Sequence, residues 1–191
     1  PDGPNYGQIR TFYIGEEMSV LNVALIGSDE FARSLGKKGD SRDIDSYVHK
    51  ESKDGGVRVL SLLRPLKHPE SIRPLLSVLD VAKAGLLEIG ALDAPVGEAM
   101  VALGCSEIST GRVLIAPRDG EWIDPGQVRV MLDQAGLSEW AIMEGDIDEH
   151  EIRDWLFGVQ GELSKSAPDA SSSSLILPVD QHFNVKGVGL V

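Results

Sequence analysis

The chain has 191 residues, of which 42% are hydrophobic and 25% are charged, values of an ordinary globular protein. Its net charge of −12 argues against DNA as a partner and against broad, sequence-independent binding to nucleic acid or anionic membranes. The single cysteine, Cys105, excludes an internal disulfide framework and a cysteine-based metal cluster.

The chain divides into a leader, a patterned block, a linker and a tail. Residues 1–19 lack a clean hydrophobic period, so we expect a leader there. Residues 20–160 alternate short apolar runs with amphipathic stretches, and the serine-rich stretch 161–174 has the composition of a linker before the tail, 175–191. We find no apolar run that could span a bilayer and no signal peptide, and therefore expect a cytoplasmic protein without a membrane partner.

Short β-compatible runs in the patterned block predict strands that are buried on both faces of a sheet. They are 21–26, 43–50, 57–63, 85–89, 112–115 and 140–143. Most are followed by apolar stripes of helical period, which begin at Ile72, Val96, Val128 and Ile152. The fold predicted is α/β: a doubly wound, mostly parallel six-stranded sheet with helices on both faces, in which 43–50 pairs antiparallel with 57–63 through a hairpin.

Capping residues mark the ends of the predicted helices. Asp124 before Pro125 predicts an N-cap followed by a proline in the first turn, and Gly136 closes that helix. Asp148 with Glu151 three residues later resembles a capping box.

The turn after the first strand, IGSDEFARSLGKKGD at 26–40, is the expected ligand position in such a fold. A phosphate loop requires Gly, four residues, Gly-Lys and then Ser or Thr. Gly27, Gly36 and Lys37 are present, but eight residues separate the glycines and Lys38 stands in place of the hydroxyl residue. The pattern therefore departs from a phosphate loop.

Helix capping explains the residues of this turn better than a phosphate loop does. With Ser28 as N-cap, Asp29 and Glu30 lie at the positive end of the helix dipole, where a phosphate would otherwise bind. Gly36 is then expected to be the C-terminal cap of this helix. Lys37 beside it is interpreted as a solvated residue, with contact to a phosphate or an RNA backbone as the alternative.

Two segments carry a family resemblance. The tail VDQHFNVKGVGLV, 179–191, is similar to a first barrel strand that ends in a Gly-x-Gly turn. The segment at 63–92 aligns with an Asp-x-Pro-Gly-His motif, a helix and an Ala-Asp pair, which puts His68 on the histidine of that motif. Over residues 20–191 the chain thus resembles the translation GTPases of the elongation factor Tu group, nearest to an archaeal relative of the selenocysteine-specific elongation factor.

The resemblance implies a P-loop GTPase-like domain at 20–160 and a chain that stops at the start of a second, β-barrel domain at 175–191. It implies GTP or GDP with magnesium as cofactors, and the ribosome or an RNA as the partner of the barrel. His68 would be the catalytic, water-positioning histidine. The residues that would contact the nucleotide are Gly27, Gly36, Lys37 and Asp119.

Other positions depart from the family pattern. On the same alignment Arg64 replaces the aspartate linked to magnesium, and Lys67 replaces the glycine that donates to the γ-phosphate. The stretch GRVLIAPRDGE at 111–121 lies where Asn-Lys-x-Asp would recognise guanine, and only Asp119 matches. These departures predict an inherited fold with most of the nucleotide chemistry lost.

Two functions stay open at this stage. The first is a scaffold or regulator in translation with weakened or lost GTP binding. The second is an active GTP-hydrolysing elongation factor with an unusual phosphate loop, in which Lys37 reaches the phosphates and His68 positions water. Without a phosphate loop, a surface-loop histidine is the favoured interpretation of His68, and a plain turn residue explains Asp119 equally well.

Remaining chemical motifs are weak. The acidic run 144–154 is interpreted as a capped, solvated helix start, and we predict no metal site of protein ligands. Cys105 has no basic neighbour in sequence and is expected to be inert. A phospho-receiver domain would need an aspartate and a lysine where Arg64 and Ala116 stand, so that class is rejected.

Overall fold

The centre of the fold is a mixed seven-stranded sheet. The computed structural model describes residues 18–53, 56–117, 122–145, 148–166, 184–185 and 189–190. Its strands are β1 (Met18–Ile26), β2 (Lys37–Ser41), β3 (Ile44–Lys53), β4 (Gly56–Pro65), β5 (Ala84–Ile89), β6 (Gly111–Ile115) and β7 (Ala141–Glu144). The helices are α1 (Asp29–Leu35), α2 (Arg73–Val81), α3 (Ala94–Gly104), α4 (Pro125–Gln134) and α5 (Glu149–Ser166). The α/β class predicted from the sequence is confirmed.

The strands lie in the order β2-β3-β4-β1-β5-β6-β7. β1 pairs in parallel with β4 and β5, and the parallel ladder continues through β6 to β7. β3 is antiparallel to both of its neighbours, β2 and β4. The edge strand β2 was not predicted, because KKGDS has no apolar alternation and four of its five residues are exposed.

Two hydrophobic cores, one on each face of the sheet, hold the helices. On one face α2, α3 and α4 contribute Leu75, Met100 and Leu132, all at most 1% exposed. On the other face α1 and α5 contribute Leu35 and Leu156, both fully buried. Along β1, neighbouring residues point to opposite cores, which is why this central strand reads as a continuous apolar run.

The Trp140 indole packs against the beginnings of β5 and β6, on the face of the sheet that carries α4. Its indole is 1% exposed and lies against Gly85 and Gly111. A Cβ added to Gly85 would lie 2.2 Å from Cη2 of the indole, and one added to Gly111 would lie 2.4 Å from Cε2. The ring therefore fits only because neither strand carries a side chain at these positions.

The predicted N-caps are confirmed. Each accepts a hydrogen bond from a backbone N–H in the first turn of its helix: Ser28 at 3.1 Å, Asp124 at 2.9 Å and Asp148 at 2.9 Å. The second hydrogen bond of a capping box, from the N-cap backbone N–H to the glutamate side chain, is replaced at α5. The Glu151 carboxylate instead accepts from Arg112 of β6 at 3.0 Å. The sequence signal thus located the helix start but not the partner of the glutamate.

The two glycines predicted to end helices differ in conformation. Gly136 follows α4 with φ of +83°, a backbone conformation that side chains disfavour, as predicted. Gly36 is the C-terminal cap of α1, as predicted, and has extended backbone at φ −160°. The position favours glycine because a Cβ would lie 3.1 Å from Leu62 Cδ1 and from the backbone of Val48.

The domain boundaries shift slightly. β1 begins at Met18, inside the predicted leader 1–19, and α5 continues to Ser166, so residues 161–166 are helical rather than linker. In the tail, a short antiparallel ladder pairs β8 (Asn184–Val185) with β9 (Gly189–Leu190) around the predicted turn. The remainder of 175–191 lies outside the described residues, and the barrel stays a prediction.

The fit of Trp140 against glycine generates a stability test. We expect Gly85→Ala to lower the free energy of unfolding by about 3 kcal/mol, because the new methyl group overlaps the buried indole. Gly158→Ala is the matched control: it lies in α5, with no atom within 4 Å of an added Cβ. This change should stabilise the protein by about 0.5–1 kcal/mol through helix propensity. Urea denaturation measures both, and equal effects of the two substitutions would contradict the proposed packing.

Candidate functional site

The turn that joins β1 to α1 is closed by a carboxylate of the protein itself. Ser28 donates its backbone N–H to Oε2 of Glu88, in β5, at 2.6 Å. A Cβ added to Gly27 would lie 2.8 Å from Glu88 Cβ and 2.9 Å from Glu88 Oε2. Gly27 therefore permits the close approach of Glu88, where the resemblance implied a contact with the nucleotide. An anion already satisfies the donor at the start of α1.

An ion cluster that surrounds the buried residues Asp45 and Tyr47 lies beside this turn, between α1, β2 and β3. Lys38 of β2 bridges two carboxylates, with Nζ 3.0 Å from Asp29 Oδ1 and 2.7 Å from Asp45 Oδ2. The hydroxyl of Tyr47 lies between the same carboxylates, donating to Asp29 and lying 3.1 Å from Asp45 Oδ2. Arg33 forms an ion pair with Asp29 one helical turn away. The cluster consists of Asp29, Arg33, Lys38, Asp45, Tyr47 and Arg64.

Arg64 connects the ion cluster to the turn. Its Nε donates to the carbonyl oxygen of Gly27 at 2.7 Å, and one terminal nitrogen lies 3.4 Å from Asp45 Oδ2. On the family alignment this is the position of the aspartate linked to magnesium. A guanidinium cannot bind a cation and repels it, so the residues present do not fit a magnesium–nucleotide complex.

The ionisation of the cluster is fixed by its hydrogen bonds. Those from Tyr47, Arg33 and Lys38 hold the pKa of Asp29 well below its usual range. Burial acts to raise the pKa of Asp45, but hydrogen bonds from Lys38 and its neighbours outweigh burial and lower it. The carboxylates of Asp45 and then Asp29 raise the pKa of Lys38. The carboxylates of Asp29 and Asp45 and the ammonium of Lys38 are therefore charged at neutral pH.

A pocket of about 270 Å³ opens at the start of α1. It is lined by Ser28, Glu30, Phe31, Ser34, Glu88 and Glu149. Three of these residues are glutamates, so the pocket repels phosphate groups, whereas a phosphate loop attracts them. The charge of this turn is therefore opposite to that of a phosphate loop.

His68 is not the surface histidine predicted from the sequence. Its side chain is 8% exposed, and Nε2 lies 3.4 Å from Oε2 of Glu98 in α3. Nε2 is buried, and the geometry to Glu98 does not make a hydrogen bond. The favoured interpretation was wrong because a loop position alone carries no information on the helix that covers it. The imidazole packs against α3, beside a carboxylate.

The other predicted site residues are dispersed. Lys37 is exposed on the edge strand β2, and Gly36 packs against Leu62 and Val48. Asp119 lies outside the described residues. Of the predicted nucleotide-binding residues, only Gly27 takes part in the closed turn described above. Lys38, interpreted from sequence only as a departure from the motif, is the central cation of the ion cluster.

Sequence reasoning missed three residues that decide the chemistry of the site. Glu88 interrupts the apolar run GLLEI, and Asp45 and Tyr47 share one face of β3 in DIDSYVHK. A charged residue inside a buried strand is a signal that it has a partner. That signal was present, but the partner could not be identified without the strand order.

Within the residues that the structure describes, no group of three or more His, Cys, Asp and Glu side chains is arranged to hold a metal ion. No helix among these residues is long and apolar enough to cross a membrane.

Comparison with known proteins finds a distant relative. No family model matches the chain. An uncharacterized protein of Methanocaldococcus jannaschii is 27% identical over 175 residues, which cover 91% of this chain and 52% of the relative. The chain thus spans about half the length of this curated relative. The similarity shows an archaeal homologue and assigns no activity.

The lowered pKa values of Asp29 and Asp45 predict a loss of stability in acid. Their contribution is complete above the pKa of an unfolded-chain aspartate, about 3.9, and disappears as the pH falls toward the lower folded values. We expect the free energy of unfolding to fall from about pH 5 to about pH 2, and Asp45→Asn to flatten this fall. Asp40→Asn, on the exposed edge of β2, should leave the slope unchanged. Denaturant titrations across this range test it, and identical slopes for both variants would refute the role of Asp45.

Glu88 generates a second stability test. Glu88→Ala should lower the free energy of unfolding by about 1–2 kcal/mol, because the Ser28 N–H loses a charged acceptor. Glu88→Gln keeps the size and an acceptor oxygen, and should lose less. The control Glu139→Ala, at an exposed turn position, should change stability by less than about 0.5 kcal/mol. Chemical denaturation of the three variants would contradict the hydrogen bond if Glu88→Ala matched the control.

Proposed function

We propose that this chain is a GTPase-like domain related to translation elongation factors, in which GTP binding is lost and the domain acts as a scaffold or regulator in translation. The observation that carries the proposal is the contact between Glu88 and the Ser28 N–H at 2.6 Å. In a phosphate loop this part of the backbone donates to phosphate. Here a resident carboxylate takes its place.

The charges around the turn support the same proposal. A nucleotide triphosphate would need to enter a pocket lined by Glu30, Glu88 and Glu149. Coulomb repulsion between two like charges that lie close together amounts to about 1 kcal/mol in water and more near a protein surface. Magnesium cannot relieve it, because the position that would bind the ion carries Arg64, which bonds to Gly27.

The sheet order supports the family comparison without proving it. A central β1 between parallel β4 and β5, with an antiparallel strand beyond β4, is compatible with the fold implied by the resemblance. The partner proposed from the same resemblance is the ribosome or an RNA, contacted through a barrel that follows the α/β domain. We propose a cytoplasmic location for this activity.

The positions of two of its residues disfavour the alternative, an active GTPase. His68 would need to position water opposite a γ-phosphate. Its imidazole instead lies against α3 near Glu98, with 8% of its side chain exposed. Lys37, the residue that would reach the phosphates, lies at the exposed edge of the sheet.

Calorimetric titration with GTP and GDP in the presence of magnesium tests the proposal. We expect no saturable heat, which corresponds to a dissociation constant weaker than about 1 mM. The physical reason is that Glu88 and Glu30 remain in the pocket that phosphate would have to enter. A matched titration with ATP shows whether any residual heat depends on the base.

Two results would overturn this proposal. One is guanine-selective binding at micromolar concentration. The other is GTP hydrolysis that His68→Ala abolishes while the variant retains the thermal stability of the wild type. Either result would favour the active GTPase with an unusual phosphate loop.

A further inference from the structure

The last helix of the domain, α5, packs on the sheet through an aromatic contact with β3 and β4. The ring of Phe157 lies against the imidazole of His49, with the two ring centroids 6.0 Å apart and the ring planes inclined by 52°. The guanidinium of Arg58, from β4, lies over the same phenyl ring, with its central carbon 4.4 Å from the ring centroid. These three side chains form the Phe157 contact, which joins α5 to two neighbouring strands.

The charges that face His49 from the sheet are paired. Glu51, on the same face of β3, forms an ion pair with Arg58. In the other direction along β3, the ion cluster begins at Tyr47, and its carboxylates and cations bind one another. The sheet thus surrounds the imidazole with charges that already have partners.

The cation that faces His49 from α5 is Arg153. It donates to the carbonyl oxygen of Ser34 in α1 at 2.9 Å, and its other terminal nitrogen lies 3.2 Å from Nδ1 of His150. Burial of the imidazole, then the charge of Arg153 and more weakly that of His150, lowers the pKa of His49, while Glu51 acts to raise it. At neutral pH His49 therefore packs against α5 as a neutral imidazole.

The docked helix leaves polar atoms at this contact without partners. Among the residues that the structure describes, Nε of Arg58 and Oε1 of Gln160 are buried and make no hydrogen bond. Opening of the contact exposes both atoms to water, which offsets part of the lost apolar burial. Gly158 and Gly161 follow Phe157 in α5 and lower the intrinsic stability of this half of the helix. These features reduce the free energy needed to open it.

We propose that the half of α5 from Phe157 onward is a pH-sensitive element, which is released from the sheet when His49 becomes protonated. An imidazolium in the docked state is partly buried and lies near Arg153, whereas in the open state it is hydrated. The open state therefore binds the additional proton. Docking weakens as the pH falls below the pKa of an unfolded-chain histidine, about 6.5. This range lies above the one in which the carboxylates of the ion cluster titrate.

Release of this half of α5 changes how the domain connects to the rest of the chain. The helix ends at Ser166, directly before residues 167–191, so undocking moves the point at which the chain leaves the domain. The inference rests on the packing of α5 and does not depend on the function proposed above.

Hydrogen exchange of the full chain at about pH 7.5 and about pH 5.5 tests the proposal, with each rate corrected for the intrinsic pH dependence of exchange. Amides of residues 157–160 should be less protected than those of β1 at both pH values, and should lose further protection at the lower pH. His49→Gln, which cannot take up the proton, should abolish this loss. His68→Gln is the matched control and should retain it, because His68 packs against α3 on the other face of the sheet.

A histidine titration by nuclear magnetic resonance provides a second measurement. The pKa of His49 should lie below about 6.5, the value of an unfolded-chain histidine. Arg153→Gln should raise this pKa, because a like charge is removed, and should reduce the loss of protection in α5 for the same reason.

Three results would overturn the proposal. The first is a pKa of His49 at or above about 6.5, and the second is an equal loss of protection in the wild type and in His49→Gln. The third is equal protection of residues 157–160 and β1, which would show that His49 acts only on global unfolding. Each variant is first checked for a thermal transition like that of the wild type, and Arg153→Gln alone decides if His49→Gln does not fold.

Discussion

The contact between the Glu88 carboxylate and the Ser28 N–H is the interaction on which the chemistry of this domain depends. It requires that β1 and β5 be neighbours, that Gly27 carry no side chain, and that α1 begin at Asp29. Once these conditions hold, the first turn of the sheet is electrostatically complete. The backbone donor at the start of α1 is thus satisfied by a carboxylate of the protein itself.

The ion cluster extends the same principle to the neighbouring strands. Lys38, Asp45 and Arg64 come from three different strands, and their charges compensate one another around Tyr47. Asp45 is buried and pairs with both cations, so removing either cation weakens the stabilisation of a buried carboxylate, which is more unfavourable than the loss of a single exposed ion pair. The edge strand β2 is therefore held to the domain by its pairing with β3 and by the ion pairs of Lys38, since its own residues are mostly exposed.

Periodicity and capping predicted most of the secondary structure, because apolar strands and Ser or Asp caps act locally. Ser28 and Asp124 illustrate this, since each bonds within its own helix. The site was harder to predict. Glu88 and Ser28 are separated by 60 residues, and His68 is buried by a helix that follows it in the chain. Such pairs depend on strand order and helix packing, and a single sequence contains no local signal for either.

The fit of Trp140 onto two glycines has a consequence for how this sequence can diverge. A larger residue at Gly85 or Gly111 is tolerated only after the indole has been replaced by something smaller, whereas a smaller residue at 140 first leaves a cavity. Either order passes through a destabilised intermediate. The three positions therefore form an epistatic unit, in which the fitness of each substitution depends on the residues already present at the other two.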